Sequence, residues 1–123
     1  MPLTAADIAN NKFLRPLSSE ESERAFAEIS EGLAETKQIL ESVKKLQGPD
    51  DYFARFRLCY DVAHTLLVLA LKSEGYVVDT GREGGHRIGL ISLHPKLAPP
   101  SKPEYTDHMI AAHFARNKMS YGG

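Results

Sequence analysis

Arg57, Asp61 and His64 are three side chains able to carry charge or a proton, spaced four and three residues apart in an apolar stretch. On an α-helix this spacing puts Arg57 and His64 on one face, about 10 Å apart along the axis, with Asp61 one turn from each. Two readings fit: a structural Arg57–Asp61 ion pair beside a hydrogen-bonded His64, or a strip in which His64 lines a cleft. Nearer the end of the chain, His108 and His113 stand five apart, a spacing that turns them away from a shared ion. With no cysteine beside them and no four-ligand set, no metal is expected. Cys59 is the only cysteine, which excludes an internal disulfide and suits a reducing compartment. Its place between Leu58 and Tyr60 makes it an expected small core residue. Gly81, Gly84 and Gly85 are too loosely spaced for a dinucleotide fingerprint, and no lysine follows in phosphate-loop register. They are expected to form a flexible connection, and no cofactor is expected.

The elements that must position these residues are mostly helices. Residues 1–17 read as an N-terminal extension with one short helix over Ala5 to Asn11, closed by Pro16 and Leu17. Ser18 followed by Glu21 is a capping-box signature, and a long helix is expected from there to about Gln47. Phe26, Ile29, Leu33, Leu40 and Val43 are its apolar stripe. Acidic residues crowd its start and Lys44 and Lys45 its end, an order that complements the helix dipole. Gly32 lies inside it, where glycine either permits close packing or weakens the helix by about 1 kcal/mol. Gly48 and Pro49 stop it.

Asp50 is the expected cap of a second long helix running to about Glu74, with Gly75 as its C-terminal glycine. Phe53, Phe56, Tyr60, Ala63, Leu67 and Ala70 form one apolar face, and Cys59, Val62, Leu66 and Leu69 an adjoining one. So wide an arc marks a central helix buried on more than one side. Tyr76 to Gly85 is expected as a loop, His86 to Leu93 as a short helix rather than a strand, and the segment holding Pro95, Pro99 and Pro100 as an extended link. Ser101 with Glu104 suggests a second capping box, Pro103 suits a first turn, and a last helix follows to about Met119. Four main helices with short links imply an all-α, four- or five-helix up-and-down bundle.

Composition sets outer bounds. The 123 residues suit one domain, with 42% hydrophobic and 25% charged residues and a formal net charge of −1. No global basic field draws nucleic acid or anionic lipid, so any RNA contact must come from a local cluster. Met1 to Ala6 has no basic region or long apolar run, so no signal peptide is expected. The most apolar stretch, Val62 to Leu71, falls far short of the roughly 20 residues a bilayer requires. A cytoplasmic protein with no membrane partner is expected.

Two stretches carry a family resemblance. One is Tyr60-Asp61-Val62-Ala63-His64, continuing through Leu66 to Leu71 and Gly75-Tyr76-Val77-Val78 to Gly85-His86. The other is Arg116-Asn117-Lys118-Met119-Ser120-Tyr121. Together they resemble the HEPN superfamily: a central helix with a Gly-Tyr-Val exit and a later Gly-His, then a last helix with an arginine, a polar residue and a histidine a few residues on. The resemblance spans about residues 20 to 121. It implies a HEPN-like helical bundle over 18–121, a homodimer, and RNA-directed work of toxin–antitoxin type, often beside a nucleotidyltransferase-type antitoxin. Many members are metal-independent endoribonucleases whose arginine–histidine motifs meet across the dimer; others are non-catalytic modules that bind a partner protein or a nucleotide.

Cleavage by the RNA 2′-hydroxyl needs a base, an acid for the leaving oxygen and a cation for the charged phosphorane. The resemblance assigns Arg116 as the phosphate fork and Asn117 as its orienter. The family's histidine position is held here by Tyr121, which can donate a proton or hydrogen bond but, with a reference pKa near about 10, is a poor base at neutral pH. His113 stands three residues before Arg116 and four before Asn117, so it is either the substitute base or a surface or dimer-contact histidine. Arg57 and His64 match the loosest form of the motif spacing, on a different helix, and are a secondary substrate-binding pair. Tyr121 as a rim residue, and Arg116 paired to a carboxylate of the first long helix, are the structural alternatives. A dimer surface is expected on the last helix, where Ile110 and Phe114 extend a stripe beside Asn117 in an accessible groove.

Overall fold

The structure, a computed structural model, describes residues 3–79, 90, 91, 93 and 103–120, with side chains of the last segment described for 107–115. Among these residues the protein is mostly helical: α1 (Ala5–Asn10), α2 (Ser19–Val43), α3 (Tyr52–Ser73) and α4 (Pro103–Ser120), with two short strands, β1 (Leu14–Pro16) and β2 (Tyr76–Val78).

Local chemistry explains most boundaries. Thr4 and Asp7 form a reciprocal capping box that starts α1. Ser18 and Glu21 form another that starts α2, as their spacing predicts. The last turn of α2 tightens earlier than expected, at Val43 rather than Gln47, because Lys45 and Leu46 donate to carbonyls three residues back. Gln47 then caps the Lys44 carbonyl from its side chain at 2.6 Å. Asp50 is not the cap of α3. A single 3₁₀ turn, Pro49–Asp51, precedes that helix, and Asp51 spends its carboxylate on the Gly48 N–H at 3.0 Å. Gly75 ends α3 at φ +91°, a left-handed conformation that disfavours any side chain.

The expected loop after Gly75 begins instead as β2, antiparallel to β1 in the register Leu14↔Val78, Arg15↔Val77, Pro16↔Tyr76. Residues 3–17 are thereby tied into the fold. Leu14 is buried in one cluster with Leu67, Leu71, Leu90, Ile91 and Leu93, and Leu3, Ile8 and Phe13 pack against it. Leu90 and Ile91 are helical and almost fully enclosed, and Leu93 follows in a buried turn, donating to the Leu90 carbonyl at 3.1 Å; residues 86–89 and 92 of the expected helix, the glycine connection and the proline link lie outside the described residues.

Helices α2 and α3 run antiparallel: Lys72 reaches Glu28 at 2.6 Å near one end, and Arg55 donates to the Leu46 carbonyl at 2.5 Å near the other. Between these points, a Cβ on Gly32 would come within 2.9 Å of the Leu69 methyls, so this glycine permits close helix approach. Thr36 is the one buried residue of α2, its hydroxyl donating to the Gly32 carbonyl at 2.8 Å. The helix is therefore rotated away from its largest apolar side chains: Phe26 is 83% exposed, Leu33 49% and Leu40 40%. Helix α3 is central as expected, packed against α2, β2 and α4. It nevertheless leaves Phe53, Leu66 and Cys59 exposed, so the cysteine is not a core residue.

Candidate functional site

Tyr60 and His113 join the two helices that carry the sequence's reactive side chains. The Tyr60 ring is only 5% exposed, in the middle of α3. A phenol buried that deeply needs a partner for its hydroxyl. It has one in His113 Nδ1 on α4, 3.0 Å away, with the two ring centroids 6.4 Å apart. Phe114 meets the same imidazole edge-to-face at 5.5 Å. The imidazole is thus half-buried and held in orientation by a hydrogen bond on one ring nitrogen and an aromatic ring at its side.

Beside this pair lies an open cleft of about 200 Å³ between α3 and α4, bounded by Phe56, Cys59, Ala63, His108, Met109 and Ala112 as well as Tyr60 itself. A second hollow of similar size, with Tyr52 and Arg55 on its rim, shares Phe56 and Cys59 with it. The walls are mainly carbon and sulfur, and the exposed His108 brings an imidazole to the edge.

Arg57 and His64 precede and follow Tyr60 by three and four residues on α3, so the three share one helix face. Arg57 is exposed and His64 half-buried. No Arg57–Asp61 ion pair forms among the described residues, so that pair does not account for the arginine. His113 is drawn to this face from the facing helix, and the α4 backbone carries Arg116 and Asn117 one turn further on. Their side chains lie outside the described residues, as does Tyr121. The stripe expected from Ile110 to Phe114 divides: Ile110 packs on the core, whereas Phe114 is 59% exposed. Spacing does not mark Tyr60 as a site residue; a tyrosine well inside an apolar helix, whose hydroxyl needs a partner once buried, is the signal that could.

Among the described residues no group of three or more His, Cys, Asp or Glu side chains could hold a metal ion, and no helix is long and apolar enough to cross a membrane. Fold and site together define a mostly helical protein with a tyrosine-anchored histidine beside an apolar interhelical cleft. Comparison with protein-family models, curated proteins and solved structures returns no match.

Proposed function

We propose that this is a HEPN-like bundle protein of toxin–antitoxin type that acts on RNA in the cytoplasm, with His113 as the proton-transfer group of a metal-independent endoribonuclease site. The observation that carries this reading is the 3.0 Å bond between Tyr60 and His113. An imidazole whose Nδ1 is engaged by a phenol has Nε2 as its second site for proton transfer, and imidazole is the side chain suited to both base and acid work near neutral pH. Arg116 and Asn117, three and four residues further along the helix, are assigned the phosphorane charge and its orientation. Tyr121 is left with hydrogen-bond donation only. A homodimer and a nucleotidyltransferase-type antitoxin are the partners that the family resemblance adds.

The test is incubation of the purified protein with mixed RNA in EDTA, reading the product ends. Fragments ending in 2′,3′-cyclic phosphate are expected, with His113→Ala lowering the rate by about 10²–10⁴-fold. Tyr60→Phe keeps the ring shape while removing this one bond to the imidazole, and a smaller loss is expected. Intact RNA across several substrates, from a folded protein, overturns the catalytic reading. The second reading, a non-catalytic module for a partner protein or nucleotide, is favoured by the apolar lining of the cleft, which suits a buried side chain or base better than a phosphate.

A further inference from the structure

Tyr52, Phe56, Cys59 and Ala63 of α3 line the two hollows in a single stripe, at intervals of four, three and four residues. Phe56 and Cys59 belong to both hollows, which therefore run into one another as a trench along the helix. At about 1.5 Å per residue the stripe is roughly 16 Å long. Each hollow holds about 200 Å³. Together they reach the lower part of the range of about 300–1,000 Å³ in which small-molecule sites fall. The two ends of the trench differ in charge. Arg55 stands on the rim of one hollow, three residues after Tyr52 and four before Cys59. One of its N–H groups donates to the Leu46 carbonyl at 2.5 Å, and among the described residues it enters no ion pair. Asp51, one turn before it, accepts the Gly48 N–H at 3.0 Å instead. Exposed Asp50 and exposed Lys45 stand in the same turn region, so the guanidinium is the charge on the trench itself. At the other end exposed Asp107 adjoins His108.

We infer that the trench binds a free, single-chain carboxylate with an apolar tail. Its carboxylate sits on Arg55, and its tail runs past Phe56 and Cys59 to Ala63 and Met109. The planar fork of a guanidinium matches the two oxygens of a carboxylate. The tail meets mainly carbon and sulfur along its whole course. The opposite orientation would bring the carboxylate towards Asp107, so the charges set the direction. The elongated shape suits an extended chain rather than a compact ring. About twelve carbons, at ordinary bond lengths, span roughly the length of the stripe. A nucleobase would bring a polar edge against walls whose one phenol, that of Tyr60, is already bonded to His113. The inference does not depend on whether RNA is cut.

Cys59 is the only cysteine, is exposed, and lies where the two hollows meet, so its alkylation by iodoacetamide reads occupancy of the trench. With the wild-type protein, dodecanoate is expected to slow alkylation saturably, with a Kd on the order of 10 μM and unchanged helical circular dichroism. From octanoate to dodecanoate, affinity is expected to rise about two- to fourfold per methylene, then to level off once the trench is filled. Dodecyltrimethylammonium carries a similar tail on a cationic head and is expected to protect at least about tenfold more weakly. Arg55→Gln is expected to erase that preference for the anion. This variant also loses the bond to the Leu46 carbonyl. The chain-length series and the comparison of heads use the wild-type protein, so they decide the matter even if Arg55→Gln does not fold. No protection at about 1 mM dodecanoate, equal protection by the cationic head, or an affinity independent of chain length overturns the inference. Protection by a short oligonucleotide but not by dodecanoate also overturns it and assigns the trench to RNA.

Discussion

Glu21 shows how much a single side chain does at the start of α2. Its carboxylate takes both Arg15 guanidinium nitrogens, at 2.8 and 3.0 Å, and also the Ser18 N–H at 2.8 Å. The Arg15 bond first, and the Ser18 N–H second, lower its pKa from the ordinary 4.5 to about 2. In that window the folded protein binds fewer protons than the unfolded chain, so stability rises with pH. The contribution is complete above the ordinary carboxylate range and is lost as pH falls from 4.5 through about 2. Glu21→Gln is expected to flatten this part of the acid limb in urea titrations at successive pH values, with a smaller difference at high salt because the pair is part-exposed. Glu28, lowered in the same direction chiefly by its bond from Lys72, adds to this slope. On the proposed ribonuclease function, Tyr121→His is expected to raise RNA cleavage by about 10²-fold or more, since histidine can serve as acid or base near neutrality and tyrosine cannot. Arg116→Ala in the same background is expected to abolish the gain, read on the same RNA gel. An unaltered rate in the folded Tyr121→His protein would favour the non-catalytic module.

Among the elements, the α2–α3 contact depends on one missing side chain. Alanine at Gly32 would gain about 1 kcal/mol of helix propensity. Its Cβ would, however, stand 2.9 Å from both Leu69 methyls, which have little room because Leu69 is itself buried. Overpacking of this kind costs about 1–3 kcal/mol. Gly32→Ala is therefore expected to be destabilising by up to about 2 kcal/mol on chemical denaturation. Leu69→Ala should remove the clash, so the double variant is expected to be more stable than the two single effects added together. Additive losses would show that the helices do not approach as closely as the structure indicates. Helix α3 carries a different constraint: its exit requires the positive φ of Gly75, which turns the chain into β2 and so against β1.

At the scale of the whole molecule, the first residues and the far end of α3 are one structural unit. Leu14 is 8% exposed, within the cluster that contains Leu71, Leu90 and Ile91, and the Phe13 carbonyl accepts the Asp79 N–H at 2.6 Å. Leu14→Ala is expected to cost about 2–5 kcal/mol, the range for emptying a buried leucine site. Its urea midpoint should fall accordingly, with the slope unchanged. A loss below about 0.5 kcal/mol, the size of a surface effect, would mean that the N-terminal segment is not part of the cooperative core.

Features set by neighbours along the chain were legible in the sequence. The Ser18–Glu21 box, the glycine exit at Gly75, the central position of α3 and the helical character of Pro103 onward all follow from interactions within one or two turns or from local hydrophobic arc. Asp50, by contrast, had the right residue type for a cap but lost the role to a proline-led turn that occupies Asp51. Tertiary structure alone decided the rest. Pairing of β1 with β2 joins segments about sixty residues apart, each too short to announce itself as a strand. The rotation of α2 followed the small residues Gly32 and Thr36, because close backbone approach outweighed the larger stripe, leaving Phe26, Leu33 and Leu40 outside. The Tyr60–His113 bond spans fifty-three residues. Helical periodicity can set each residue on a face, but which faces meet depends on how whole helices pack, and that depends on contacts no local window contains.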